Sequence, residues 1–137
     1  MSPAAAQTHD VIAAYYAAFN RGEWAAMLAL LRADVAHDLN QGPREVGREA
    51  FAAFLARMAR CYAEQLADLR ILVSEDGRHA AAEYVVHGHY LAADEGLPAA
   101  HGQRYVLPGG AFFDLVDGQI ARVSNYYNLP DWIRQVS

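Results

Sequence analysis

The chain has 137 residues, 54% of them hydrophobic and 20% charged, which is one domain's worth of core and excludes a disordered chain. Its formal net charge is -5 with no basic run, which argues against nucleic acid or an anionic membrane as a partner. All 11 basic residues are arginines, the few hydroxyls (Ser2, Thr8, Ser74, Ser124, Ser137) form no G-x-S-x-G elbow, and Cys61 is alone; Schiff-base and P-loop lysines, serine hydrolysis, an intrachain disulfide and a cysteine zinc site are all excluded.

Residues 1–7 read as frayed, with Thr8 as the first helix cap. Ile12, Tyr15, Tyr16 and Phe19 follow at helical spacing, and Gly22 supplies a stop. Trp24, Met27, Leu28 and Leu31 fit a second helix. Residues 35–39 fit a short strand, and Asn40-Gln41-Gly42-Pro43 a loop. A third helix carries Phe51, Phe54, Leu55, Met58 and Tyr62 on one stripe. The period then changes to that of strands: 66–73, a turn at Glu75-Asp76-Gly77, 79–91, a loop at 92–102, then 103–116. Leu107-Pro108-Gly109-Gly110 inside that last run predicts a bulge or bend. Asp117-Gly118 predicts a hairpin into a final strand, 120–127, and Pro130 and Asp131 a short terminal helix around Trp132.

Helices segregated from an antiparallel run of strands predict an α+β fold, in which a strongly bent sheet wraps a long helix and leaves a cone-shaped cavity. One domain is expected over residues 1–137, its ordered core running from about 8 to 134. No apolar stretch reaches ~18 residues without a charge, and the N-terminus lacks a signal-peptide pattern, so a cytoplasmic protein is expected.

Five segments carry a resemblance: Val35-Ala36-His37-Asp38-Leu39-Asn40-Gln41-Gly42, Ala82-Glu83-Tyr84-Val85-Val86-His87-Gly88, Gly102-Gln103-Arg104-Tyr105, Gly110-Ala111-Phe112-Phe113 and Asn125-Tyr126-Tyr127-Asn128-Leu129. Together they make the chain resemble the SnoaL-like (NTF2-like) superfamily, and more narrowly its ketosteroid isomerase-related group. The resemblance implies three N-terminal helices packed on the bent sheet, and cofactor-free proton transfer next to a carbonyl: isomerisation, cyclisation or dehydration of a small apolar or carbonyl-containing molecule. A non-catalytic ligand-binding or dimeric accessory module is the alternative it leaves open.

By the same resemblance Asp38 takes the position of the general base, counted back from Gly47, the alternative being that it caps a turn or pairs with Arg44 or Arg48, and Tyr15, seven residues before Gly22, takes that of an oxyanion donor. The second oxyanion acid falls near Gly110, where no carboxyl stands. On a strand His37 then points away from the cavity. Glu83, Val85, His87 and His89 share one strand face, and Tyr84, Val86 and Tyr90 the other. The resemblance turns the Glu83 face inward, where Glu83 and His87 would tune or relay the proton; the inverse, with Tyr84 and Val86 on the helices, stays open. Asn40, Tyr105, Phe112, Asn125 and Tyr127 complete the ligand contacts, Tyr105 and Phe112 reading equally as packing aromatics. Asn125 would donate to a carbonyl. His87-x-His89 followed by Asp94 and Glu95 is a weak metal pattern, so no metal and no cofactor are expected. Tyr84, Tyr90 and Tyr126, placed opposite the cavity, predict a homodimer across the sheet. Convergence of Asp38, Glu83, Asn125 and Tyr15 on one volume would favour the enzyme over the binding module.

Overall fold

The structure, a computed structural model, describes residues 1–137. Helix α1 (Pro3–Arg21) starts five residues before the expected cap. Ser2 is the cap: its Oγ accepts from the Ala5 amide at 3.0 Å, and Pro3 follows with a preset φ. The first turn is docked rather than frayed, because Ser2 Oγ donates to the Glu75 carbonyl and Thr8 Oγ1 to the Gly77 carbonyl, each at 2.6 Å. At Gly77 (φ 72) a methyl group would lie 2.6 Å from the Ala4 carbonyl oxygen, so the β-turn and the helix fit only with glycine there.

Helix α2 (Trp24–Ala29) is short, and Leu31, expected on it, opens β1 (Leu31–Asp38) by pairing with Ile120. Then come β2 (Arg44–Val46), α3 (Arg48–Cys61), β3 (Tyr62–Val73), β4 (His79–Tyr90), β5 (Gln103–Val116), β6 (Gln119–Tyr127) and α4 (Leu129–Val136). The six strands form one sheet in the order β2-β1-β6-β5-β4-β3, antiparallel except for the β1–β6 pair. This is the expected α+β architecture. Register shifts after Ala67, where Asp68 takes φ 55, and between Asp114 and Leu115 bend the long strands.

The expected interruption at Pro108 is absent. β5 stays in unbroken register with β4 from Gln103 to Asp114. Proline is tolerated there because β6 ends opposite Gly109, and α4 takes over the remaining edge of β5. Gln135 supplies a false rung: its side-chain amide both donates to and accepts from the Val106 backbone at 2.9 Å. By alternation Pro108 turns its missing N–H toward the same side, between Tyr127 and that rung.

Helices α1 and α3 pack on one sheet face around Ile12, Tyr16, Met27, Phe51, Leu55 and Phe113. A second cluster beneath α4 joins Tyr90, Tyr105, Leu107 and Trp132. No helix is long and apolar enough to cross a membrane.

Candidate functional site

Burial along β4 decides which face is interior. Ala80, Ala82, Val86, Gly88 and Tyr90 are buried; His79, Glu83, His87 and His89 are exposed. On β3 the same side carries Tyr62, Glu64 and Leu66. Glu64 is the register partner of Gly88, and Gly88 of Tyr105, so the three stand in one row across β3, β4 and β5. The ring of Tyr105 lies over Gly88, where even a methyl group would collide with it, and its hydroxyl reaches across to donate to Glu64 Oε2. The reciprocal pair repeats the device four residues away: Tyr84 leans over Gly109, whose added Cβ would stand 2.8 Å from the Tyr84 ring.

A carboxyl so placed is short of water. Burial pushes the Glu64 pKa up, and the bond from Tyr105 opposes it only in part. Burial, then the Glu64 charge, raises Tyr105 far above an ordinary phenol and Tyr84 up to about 12, and Tyr127 rises for the same two reasons. The tyrosines therefore keep their protons while Glu64 titrates, which leaves Glu64 as an acid–base group among hydroxyl donors. Glu64 also borders a cleft of about 320 Å³ walled by Phe19, Trp24, Leu55, Met58 and Tyr62. Asn20 pins that cleft by exchanging hydrogen bonds with the Leu66 backbone at 2.8 and 3.0 Å. Nearby, Tyr62 donates to Asp94 at 2.8 Å, and Arg57 lies 3.6 Å from the same carboxylate.

The β1 strand presents its residues the opposite way from the expectation. His37 faces inward, 1% exposed, stacked on Phe51 at 4.3 Å and edge-on to Phe54 at 4.6 Å. Its Nε2 lies 3.1 Å from Nδ2 of Asn125, which does face inward as expected. Desolvation holds His37 neutral, with its pKa lowered to about 4.

Asp38 consequently points outward. Arg44 binds it with two bonds of 2.6 and 3.0 Å, and the Ser124 hydroxyl donates to it at 2.6 Å. The bonds from Arg44, then Ser124, hold its pKa at about 2, the reverse of the raised value a cavity base requires. Glu83 and His87 also lie on the outer face, and Phe112 packs edge-on against Tyr126 there, 5.7 Å away. Tyr84 and Tyr90, expected outside, lie inside: the inverse sheet arrangement is the real one. Tyr15 is interior but wedged in the core, 5.6 Å from Phe113 and far from ordinary acidity through burial. Asn40 sits in the loop after β1 and clamps the Tyr127 backbone at 3.0 and 3.1 Å, leaving the Tyr127 ring half-exposed at the strand end. Asp38, Glu83, Asn125 and Tyr15 thus do not converge. His87 and His89 gain no third ligand; no group of three His, Cys, Asp or Glu side chains is placed to hold a metal ion.

The sequence reading missed Glu64. Its signal was the alternation Tyr62, Glu64, Leu66, hidden because the α3 stripe was extended through Tyr62 and the strand begun at Leu66.

A SnoaL-like domain matches residues 12–123. Two solved structures of putative polyketide cyclases superpose on nearly the whole chain. The one from Xanthomonas campestris pv. campestris is 62% identical over 98% of this chain and 99% of its own, with a TM-score of 0.95. The one from Pseudomonas putida KT2440 is 57% identical over 100% and 99%, with a TM-score of 0.93. An LEH-like epoxide hydrolase of M. tuberculosis, 17% identical over 98% of this chain and 92% of its own, shares the fold at a TM-score of 0.77. No curated protein matches the chain.

Proposed function

The chain belongs to the SnoaL-like domain family, and from that premise we propose that it binds a small, largely apolar, carbonyl-containing molecule and moves a proton next to the carbonyl, with Glu64 as the base. The observation that carries this reading is the half-buried Glu64 carboxyl, raised in pKa, hydrogen-bonded to Tyr105 and bordering a mostly apolar cleft. In the forward step the C–H bond beside the carbonyl breaks, its proton goes to Glu64, and the electron pair becomes an enolate. Where a C=C bond is conjugated with the enolate, returning the proton to the far carbon of that dienolate moves the double bond and gives an isomer. The polyketide cyclases similar to this chain are named for chemistry that such a step could serve. The Tyr105 hydroxyl orients the carboxylate, and burial brings its pKa nearer the working pH, where a general base is most effective.

The test is deuterium uptake at the α-carbon of a panel of cyclic ketones and enones in D2O, followed by NMR. Wild type should catalyse exchange with a rate that rises with pH above the ordinary Glu value of 4.5, as Glu64 ionises. Glu64→Gln keeps the shape and should cost about 10²- to 10⁴-fold. Equal rates for wild type and Glu64→Gln reject Glu64 as the base. The dispersal of Asp38, Glu83, Asn125 and Tyr15 favours the second reading, a binding module without turnover. Ketones that bind but exchange no faster than in buffer would establish that reading instead.

A further inference from the structure

A second cavity, of about 290 Å³, opens on the sheet face that the helices leave bare. Ala63 and Gln65 of β3, His87 and His89 of β4, and Arg104 and Val106 of β5 line it. Register sets them in two adjacent rows: Ala63, His89 and Arg104 in one, Gln65, His87 and Val106 in the next. All six are exposed, and alternation sends their side chains to the same side. His89 and Arg104 stand directly opposite each other, a placement that sets Cβ atoms about 5 Å apart. His87 lies two residues along from His89, about 7 Å away. Three basic side chains therefore reach one small volume, and Ala63 fills little of it.

None of the three has an acid. They take part in no ion pair and no side-chain hydrogen bond, whereas nearer the β1 end of this face Asp38 is paired with Arg44 and Asp114 with Arg122. Glu83, on the same face of β4, stands four residues from His87, about 13 Å away. Glu64 also borders the cavity, but its side chain leaves the sheet on the helix side, where Tyr105 bonds it. Gln65 is a wall rather than a donor, because its amide is given to the Asn20 and Glu64 carbonyls at 2.8 and 3.3 Å. Like charges facing each other across two strands are destabilising, so Arg104 opposite a protonated His89 opposes folding until an anion joins them.

The donors say which anion. A guanidinium presents a planar fork that takes two oxygens of one phosphate, and each imidazole N–H takes one more. Three terminal oxygens on one centre answer that set; a phosphate monoester has them and a carboxylate does not. The volume leaves room for a small organic body beside the phosphate, and Val106, 52% exposed, offers it an apolar wall.

We propose that this cavity binds a small phosphate monoester, with Arg104, His89 and His87 as donors to its phosphate group. The site lies across the sheet from the Glu64 carboxyl and does not rest on Glu64 as a base. It is also distinct from the Phe112 end of the bare face, eight residues and about 26 Å farther along β5.

Backbone ¹H–¹⁵N spectra of the full chain, titrated with phenyl phosphate at constant ionic strength and about pH 6.5, where an ordinary imidazole is half charged, read the site directly. Saturable shifts should appear at residues 63–65, 87–89 and 104–106. Arg104→Gln should weaken binding about 10- to 100-fold, the worth of a charge-assisted hydrogen bond, and His89→Gln should weaken it as well. Both positions are exposed, so the remaining peaks should stay in place and report that each variant is folded. Inorganic phosphate should shift the same residues with lower affinity, and benzoate should not saturate. No saturable shift with phenyl phosphate, or an affinity that both substitutions leave unchanged, would overturn the site. Benzoate binding as tightly as phenyl phosphate would overturn the phosphate assignment, and inorganic phosphate doing so would replace the monoester with the free ion.

Discussion

A side chain added at Gly88 would have to occupy space that the Tyr105 ring already fills. Gly88 is buried between two long strands, so neither neighbour can move aside without breaking ladder bonds. Gly88→Ala should therefore displace Tyr105, cut its bond to Glu64 and cost ~1–3 kcal/mol, the range for overfilling a packed core. A urea midpoint equal to wild type would mean that the ring has room the geometry denies it. His37 makes a second prediction at this scale. Its folded pKa, about 4, lies below the ordinary 6.5, so the unfolded chain takes up the proton first. That contribution is complete above pH 6.5 and is lost as the pH falls from 6.5 toward 4. Asp38, held at about 2, adds a further loss only between 3.8 and 2. The midpoint of wild type should drop between about pH 7 and pH 5, and His37→Phe should flatten that drop; equal slopes in the two proteins would refute the assignment. Single residues were only half legible beforehand. Alternation states that His37 and Asp38 point apart but not which one points in, and that choice depends on Arg44 and Ser124, which the fold brings in from other strands.

Elements were more legible than their ends. Strands β3 to β6, the turns between them and all three N-terminal helices follow from period and turn chemistry, since each must bury one face. Errors fell where a neighbour overrides local preference. α1 is capped as early as Ser2 because a turn 73 residues away accepts its hydroxyl, and β5 runs through Pro108 because α4 shields the edge that proline leaves open. The Gln135 rung makes this testable. Gln135→Ala strips both Val106 backbone groups of their partners, though water can reach this exposed edge. The expected cost is about 1 kcal/mol, with faster amide exchange at Val106 and across α4 than elsewhere. Protection at Val106 that survives the substitution would show that the rung is incidental.

At the scale of the molecule, the sheet has one face filled by helices and one face bare. The sequence contained both faces as sets of alternating residues. It could not say which set was covered, because tyrosines suit a core and an interface equally well; burial of Tyr90 and the packing of half-buried Tyr84 on the core settle it and leave Tyr126 as the only outer tyrosine of the three. The case for a partner then rests on different residues from those first named. Phe112 and Tyr126 stand 52% and 56% exposed on adjacent strands, with Val106 52% exposed along β5 and flat Pro108 and Gly110 beside them. Beside this strip Asp38 is paired with Arg44 and Asp114 with Arg122, while Glu83, the register partner of Gly110, has no ion pair within the chain. An apolar strip across an uncovered sheet face suits a second copy of itself, because a two-fold contact sets the same strip against itself. The expected state is a homodimer. Phe112→Asp combined with Tyr126→Arg should give a monomer that keeps its circular dichroism spectrum, since neither side chain supports the interior. Light scattering at micromolar concentration is the check. A wild-type monomer would leave the strip without this role, and a variant that stays dimeric would place the contact elsewhere on the sheet.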